Sequence, residues 1–179
     1  VFIGTVTTGA CLSVVSQTKA DNMFQITPSA SAAKVIANDN CFQVCFTDPN
    51  HGTASADYIA SKGLATKVAV IYNSSDAYSS GIYDNFKAEA AAKGLDLVAS
   101  EAFTGDSKQD FSSQLSKIKA SGAELILLPI YYQEASLILS QAKNAGITAK
   151  FFGCDGLDGL LNIENFDKSL AENVMLLTP

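Results

Sequence analysis

Hydroxyl residues, glycines, tyrosines and one aspartate recur at one kind of place in this chain: just after an apolar run and just before a helical one. Val1-Phe2-Ile3-Gly4 runs into Thr5-Val6-Thr7-Thr8-Gly9, and Phe24-Gln25-Ile26 runs into Thr27-Pro28-Ser29-Ala30-Ser31. Val68-Ala69-Val70-Ile71-Tyr72 is followed by Asn73 to Ser80, which includes Tyr78; Leu125-Ile126-Leu127-Leu128 by Tyr131-Tyr132; and Phe151-Phe152-Gly153 by Asp155-Gly156. Hydroxyls and backbone N–H groups at a helix start suit a carboxylate. An aspartate between glycines suits an ammonium group, and a tyrosine supplies a flat apolar wall with one hydroxyl. Each group also has a plain structural use: Thr7 and Thr8 as helix caps, Ser29-Ala30-Ser31 as a turn, Asp155 as an N-cap, and one of Tyr131 and Tyr132 as packing, since neighbours should face different ways. Together they can hold a polar molecule but have little with which to transform it.

The residues of the common chemistries are missing or misplaced. A triad hydrolase needs a nucleophile on a tight turn with a histidine. There is no G-x-S-x-G, and the only histidine, His51, falls at a helix start expected to lie far from the other loops. Gly4-x4-Gly9 lacks both the Lys-Ser/Thr pair and the third glycine of a phosphate loop. Cys11, Cys41, Cys45 and Cys154 have no metal-ligand spacing, so they are expected to be buried structural thiols. Cys41 and Cys45, on one face of a strand, would stand roughly 13 Å apart, too far for a bridge. No metal and no cofactor is expected. A net charge of −6 with 12 dispersed basic residues argues against nucleic acid. No apolar run approaches the roughly 18–20 residues of a membrane span. Asn73-Ser74-Ser75 matches a glycosylation sequon but is better explained as a turn.

Elements must position these loops. With 47% hydrophobic and 17% charged residues, a chain of 179 can bury a core. Strands are predicted at 1–4, 23–27, 41–46, 67–72, 95–103, 124–129, 150–153 and 173–177. Helices are predicted at 9–20, 50–63, 80–93, 108–121 and 133–145, with an irregular helical stretch at 157–171 and a loop or short helix at 32–40. Gly63, Gly94, Gly122 and Gly146 follow four of the helices, as C-terminal signals do. Strands alternating with single helices predict right-handed βαβ units, an α/β fold with a doubly wound parallel sheet. Its loops then gather at the carboxyl edge, where small ligands bind. Residues 48–177 suffice for a five-stranded lobe; residues 1–47 offer three strands and one good helix, too little to cover both faces of a sheet. Val1 lies inside a strand pattern, so the chain reads as a piece of a longer protein.

Several runs carry a family resemblance: Val68 to Tyr72, Tyr78, and Gly81-Ile82-Tyr83-Asp84-Asn85-Phe86; Phe103-Thr104-Gly105-Asp106 with Asp110-Phe111-Ser112; and Leu128-Pro129-Ile130-Tyr131-Tyr132-Gln133-Glu134. With Phe152-Gly153-Cys154-Asp155-Gly156, Ile3-Gly4 and Ile26-Thr27-Pro28-Ser29-Ala30, the chain resembles the periplasmic branched-chain amino-acid binding proteins of ABC transporters along nearly its whole length. The resemblance implies the periplasmic-binding-protein-like type I fold, two doubly wound lobes closing like a hinge on an amino acid. It implies that Thr8, Ser29, Ala30 and Ser31 hold the ligand's carboxylate and part of its amino group, and that Val6 lies beside its side chain. Tyr78, Tyr131 and Asp155 would be the second lobe's contribution, with Asp155 pairing the ammonium. The family often has Glu at that position, and some relatives have Ala and Thr where Ser29 and Ser31 stand; these departures count against a strictly aliphatic ligand.

The resemblance further implies a first crossover at Thr47-Asp48-Pro49 and a return crossover beginning at 178–179, so that one lobe is nearly complete and the other partial. The expected function is the extracytoplasmic solute-binding component of an ABC importer, with an amino acid or related zwitterion as ligand, a membrane permease as partner and no catalysis. Weak or absent binding by this piece is expected, with pairing of its exposed first-lobe sheet to another copy. A ligand-sensing domain of a receptor or transcription regulator is the alternative, and an α/β enzyme a more distant one.

Overall fold

Proline and hydrogen-bonding side chains set where the strands and helices of this chain stop. The structure is a computed structural model that describes residues 1–178. The first sheet is parallel and three-stranded, in the order β1 (Phe2–Ile3), β2 (Gln25–Thr27), β3 (Cys41–Gln43). Helix α1 (Thr8–Ala20) lies between β1 and β2 in sequence, and a short 3-10 turn (Ala33–Ile36) precedes β3. Phe2, Gln25 and Cys41 are in register, as are Ile3, Ile26 and Phe42.

Strand side chains alternate between faces, so the two faces of this sheet differ. Under α1, Cys11, Val15 and Cys41 pack with Ala30, Ala32 and Val35. Buried Gln25 is fully used there: its Nε2 donates to Gly4 O (3.0 Å) and Cys11 Sγ (3.2 Å), and its Oε1 accepts from Thr18 Oγ1 (2.6 Å). The opposite face is open. Ile3 and Phe42 are exposed, and Phe24 stacks on Phe42 with ring centroids 5.4 Å apart.

Strand β3 is shorter than the 41–46 expected from sequence. Pro28 ends β2, and the last pairing bond runs from Val44 N to Thr27 O at 3.1 Å. Past that point the chain has no neighbour to pair with, so Cys45 leaves the strand. Cys41 and Cys45 therefore do not share a strand face: Cys41 is buried beside α1 and Cys45 is half-buried.

The second sheet is parallel and five-stranded. In chain order its strands are β4 (Lys67–Asn73), β5 (Asp96–Phe103), β6 (Leu125–Leu128), β7 (Lys150–Gly153) and β8 (Val174–Leu176); across the sheet the order is β5-β4-β6-β7-β8. It is wound on both faces by α2 (Asp48–Ser61), α3 (Ala77–Ala92), α4 (Ser112–Ser121) and α5 (Tyr132–Asn144). Val68, Val70, Leu125 and Leu127 pack with Ala56 and Ile59 of α2 and Phe86 and Ala90 of α3. Their alternates Ala69, Ile71, Ile126 and Leu128 pack with Leu115 and Ile118 of α4 and Ala135 and Ile138 of α5. Continuous apolar strands are what a sheet covered on both sides requires. Connectivity reverses between β4 and β6, and the segments after β4, β6 and β7 all emerge at the carboxyl edge.

The two helix starts that differ most from the sequence expectation do so for local reasons. Helix α3 begins at Ala77 rather than 80 because the Asp76 carboxylate caps it, accepting from Ser79 N at 3.1 Å. Tyr78 is thus a first-turn helical residue instead of a loop residue. Helix α4 begins at 112 rather than 108. Phe111 N donates to Gln141 Oε1 (2.7 Å) and Asp110 Oδ1 accepts from Ser112 N (2.9 Å), which fixes the preceding residues as a turn. Asn73 Oδ1 accepts from Ser75 N and Oγ (3.0 and 2.8 Å), the turn expected there. The return crossover expected at 178–179 includes Pro179, which lies outside the described residues.

Helices α2 and α3 touch backbone to backbone at Gly52. A Cβ there would stand 2.6 Å from Ile82 O and 2.7 Å from Phe86 N, both atoms of rigid main chain. Gly52→Ala should therefore push the helices apart and destabilise the fold by about 2–3 kcal/mol, measured by urea unfolding; an unchanged midpoint would contradict this packing.

Candidate ligand cleft

Strands β1, β2, β4, β6 and β7 each deliver at least one polar group to a shared hollow. After β1 come Val6, Thr7 and Thr8 at the start of α1; after β2 comes Ser29; after β4, Tyr78; after β6, Tyr131 and Tyr132; after β7, Asp155, Gly156 and Asp158. These ten residues line one cavity of about 240 Å³. Larger hollows exist, including one of about 610 Å³ near Leu64, Ile147 and Met175. That one lies near the opposite edge of the sheet, away from these loops.

Six of the eight residues expected from sequence meet here: Val6, Thr8, Ser29, Tyr78, Tyr131 and Asp155. Ala30 and Ser31 do not line the cavity; both are fully buried behind it. Their N–H groups are also committed. Ala30 N donates to Thr27 Oγ1 (3.1 Å), while Ser31 N and Ala32 N donate to Thr8 Oγ1 (3.1 and 3.3 Å). Ser31 and Ala32 thus fix Thr8 in place, and Ala30 is tied to Thr27. With its oxygen accepting from two amides, Thr8 keeps its hydroxyl hydrogen to donate. The first turn of α1 adds unpaired amides beside it, since the first four N–H groups of a helix lack intrahelical partners.

The facing wall is built around Asp155, which opens a 3-10 turn (Asp155–Leu157) directly after β7. Its Oδ1 accepts from Tyr78 Oη at 2.7 Å, and Tyr78 Oη in turn accepts from Gly156 N at 3.0 Å. Tyr78 is buried, and burial pushes its phenol pKa well up, with the neighbouring Asp155 acting in the same direction. It therefore serves as a fixed donor. The Tyr131 ring stacks on that of Tyr78, centroids 5.1 Å apart and planes 18° apart. Tyr132 also lines the cavity, against the expectation that it would face elsewhere. Successive residues at a helix start differ in direction by about 100° rather than 180°, and the Tyr132 ring packs over Gly159.

The electrostatics of this wall are negative. Burial is the main cause that raises the pKa of both Asp48 and Asp76. Asp155 adds to the upward shifts of Asp48, Cys45, Tyr78, Tyr131 and Cys154, and the thiol of Cys154 is pushed up to about 12, chiefly by burial. None of the ten lining residues is Lys or Arg. Among the described residues no His, Cys, Asp and Glu cluster has the makings of a metal site.

Three groups that the sequence reading did not assign to the site stand beneath this wall. His51, Asp48 and Ser55 share one face of α2, at spacings of three and four residues. The Ser55 hydroxyl is 3.9 Å from Cys154 Sγ, just before Asp155, and His51 Nε2 is 3.8 Å from Asp155 Oδ1. His51 is thus beside the cleft, not remote from it. The backbone contact at Gly52 holds α2 tightly enough for this. Two small residues, Gly52 next to the histidine and Ser55 one turn on, were the available signal of a close approach.

The chain belongs to the periplasmic binding protein family. The family profile of that description matches residues 1–175. A Leu/Ile/Val-binding protein homolog of Brucella melitensis is 32% identical over 157 residues, covering 87% of this chain and 42% of its own length. An amino acid binding protein of Pseudomonas aeruginosa is 34% identical over 134 residues, covering 74% of this chain and 35% of its own. Among solved structures, the branched-chain amino acid transporter substrate binding protein LivJ of Streptococcus pneumoniae, in complex with isoleucine, superposes with a TM-score of 0.87 at 28% identity. It matches 97% of this chain and 49% of the LivJ chain. The chain thus spans less than half the length of these relatives. The periplasmic binding protein fold accounts for the two parallel sheets and for a cavity at their carboxyl edges.

Asp48 yields a test of the buried acid wall. Its carboxyl is raised from 3.8 to about 7 by burial, offset in part by Ser31 and reinforced by Asp155. The folded chain therefore keeps this proton over a range in which the unfolded chain has lost it. Stability from this group is fully present below the unfolded value and drains away as pH rises from about 4 to about 7. Relative to Asp48→Asn, the wild type should lose stability over that interval, by at most about 4 kcal/mol at 1.36 kcal/mol per pKa unit. Urea unfolding of both proteins at pH 4, 6 and 8 measures it; parallel curves would exclude a raised Asp48.

Proposed function

We propose that this chain forms most of the ligand-binding cleft of an extracytoplasmic solute-binding component of an ABC importer, taking an amino acid or closely related zwitterion. One observation carries the reading. A carboxylate held by a buried tyrosine, Asp155, faces the start of α1 with Thr8 across a cavity of about 240 Å³. A helix N-terminus with a hydroxyl attracts a carboxylate, and a fixed Asp attracts an ammonium. Opposed across one small hollow, the two match the two ends of an amino acid. Val6 and the Tyr131 ring supply apolar surface between them. The names of the relatives, Leu/Ile/Val-binding and isoleucine-bound, support the same ligand class.

In this reading residues 1–47 belong to a first lobe and residues 48–177 to a second. Val6, Thr8 and Ser29 are ligand contacts of the first lobe; Tyr78, Tyr131 and Asp155 are those of the second, with Ser31 and Ala32 supporting Thr8 and Ala30 tied to Thr27. Closure of the lobes on the ligand would generate the form a membrane permease recognises. The sensory alternative gains no observation from this cleft or from the relatives' names. The apolar face exposed by Ile3, Phe24 and Phe42 supports self-association of the isolated 179-residue chain. Sedimentation at rising concentration should show dimers or larger species, and a strictly monomeric boundary would count against it.

The direct test is calorimetry with L-isoleucine and L-leucine on the full-length protein. Asp155→Ala should weaken binding by about 2–5 kcal/mol, because the ligand's ammonium would be left unpaired in a closed cleft. Affinity equal to the parent's would remove Asp155 from the site and the zwitterion reading with it.

A further inference from the structure

Behind the cleft, the imidazole of His51 is completely buried, and neither ring nitrogen has a hydrogen-bond partner. Leaving a buried polar group unpaired is costly. The arrangement is therefore one that a modest shift would improve, and the direction of improvement is set by what surrounds the ring. Nε2 points toward Asp155 Oδ1 at 3.8 Å, about 1 Å beyond a charge-assisted hydrogen bond. Phe46, from the segment between β3 and α2, meets the ring edge-on with centroids 5.6 Å apart. Asp48 stands one turn earlier on α2, with its own Oδ1 unpaired. Cys45 feels both Asp155 and Asp48, and Cys154 and Tyr78 feel Asp155. Burial holds the His51 pKa below its ordinary value, opposed by Asp155, the charged group that acts on His51 itself and favours its protonated form.

Asp155 Oδ1 is consequently shared. Tyr78 holds it at 2.7 Å from one side, and His51 approaches it from the protein interior. A neutral imidazole 3.8 Å away leaves the carboxylate's charge for the cleft. An imidazolium there would be an internal cation competing for the same carboxylate.

We propose that His51 is a positioning residue for Asp155: neutral, it leaves the carboxylate available to a ligand's ammonium, and protonated, it draws the carboxylate inward, so that ligand binding is coupled to loss of a proton from His51. This rests on the reading of Asp155 as the ammonium partner. Coupling of this kind is reciprocal, so bound ligand must disfavour the imidazolium as much as the imidazolium disfavours ligand. The sign follows from the geometry. Binding weakens as pH falls below the ordinary histidine range, near 6.5.

The experiment has two arms on the full-length protein. In the first, NMR of histidine-labelled protein follows His51, identified by the resonance lost in His51→Gln, across pH 4.5 to 8 without ligand. Asp155→Asn should move its titration to lower pH, since the charge favouring the imidazolium is gone. An unmoved titration overturns the proposal, whatever the ligand. In the second, the Kd for L-isoleucine is measured at pH 5 and 8. Wild type should bind about fivefold or more weakly at pH 5, and His51→Gln should show a flatter dependence; equal pH dependence in the two proteins overturns the proposal as well. If Asp155→Asn shifts the His51 titration but L-isoleucine binds at neither pH, the amino-acid reading fails while the His51–Asp155 coupling stands.

Discussion

Three segments distant in sequence converge on one carboxylate oxygen, and the cleft has its form because of that convergence. Asp155 Oδ1 takes the hydroxyl of Tyr78 from α3 and lies near the imidazole of His51 from α2, while its own backbone opens the turn after β7. A partly buried carboxylate without such donors would sit in an unfavourable medium and would reorient or take up a proton. With Tyr78 in place it has a defined direction. The phenol in turn is anchored by the amide of Gly156, so the donor and its acceptor are locked by consecutive residues of the same turn.

The opposite wall works by another principle. It carries no charge of its own among the lining residues Val6, Thr7, Thr8 and Ser29, and relies on a hydroxyl and the amides of a helix start. The turn after β2 supports it from behind by giving its N–H groups to Thr8 and Thr27. One wall thus concentrates negative charge on a single side chain, while the other spreads partial positive charge over a helix end. A molecule with both signs would be oriented by this difference before any apolar contact contributed.

Much of this was legible in the sequence, and the exceptions have definite physical causes. Apolar runs and the glycines after four helices placed the strands and the five helices to within about four residues, and the positions after β1, β4, β6 and β7 brought Thr8, Tyr78, Tyr131 and Asp155 to the cavity lining. What could not be read was which donors were already committed. Ala30 and Ser31 look like free amides in a list of residues, yet Thr8 and Thr27 accept their hydrogens. Nor did the chain order reveal that His51 and Asp155, 104 positions apart by their numbers, would become neighbours. Next to His51, Gly52 has no side chain, and α2 settles there against the main chain of α3. The start of α3 was misplaced because the side chain of Asp76 extends the helix backward, a choice made by one capping bond and invisible to periodicity.

The aromatic content of the chain has an optical consequence. It contains six tyrosines and no tryptophan, and three of those tyrosines, Tyr78, Tyr131 and Tyr132, border the cavity. Phenol emission, in most proteins swamped by indole, is the intrinsic fluorescence of this chain. The molecule therefore carries its own gauge of occupancy, seated on the rim whose surroundings an arriving guest would change.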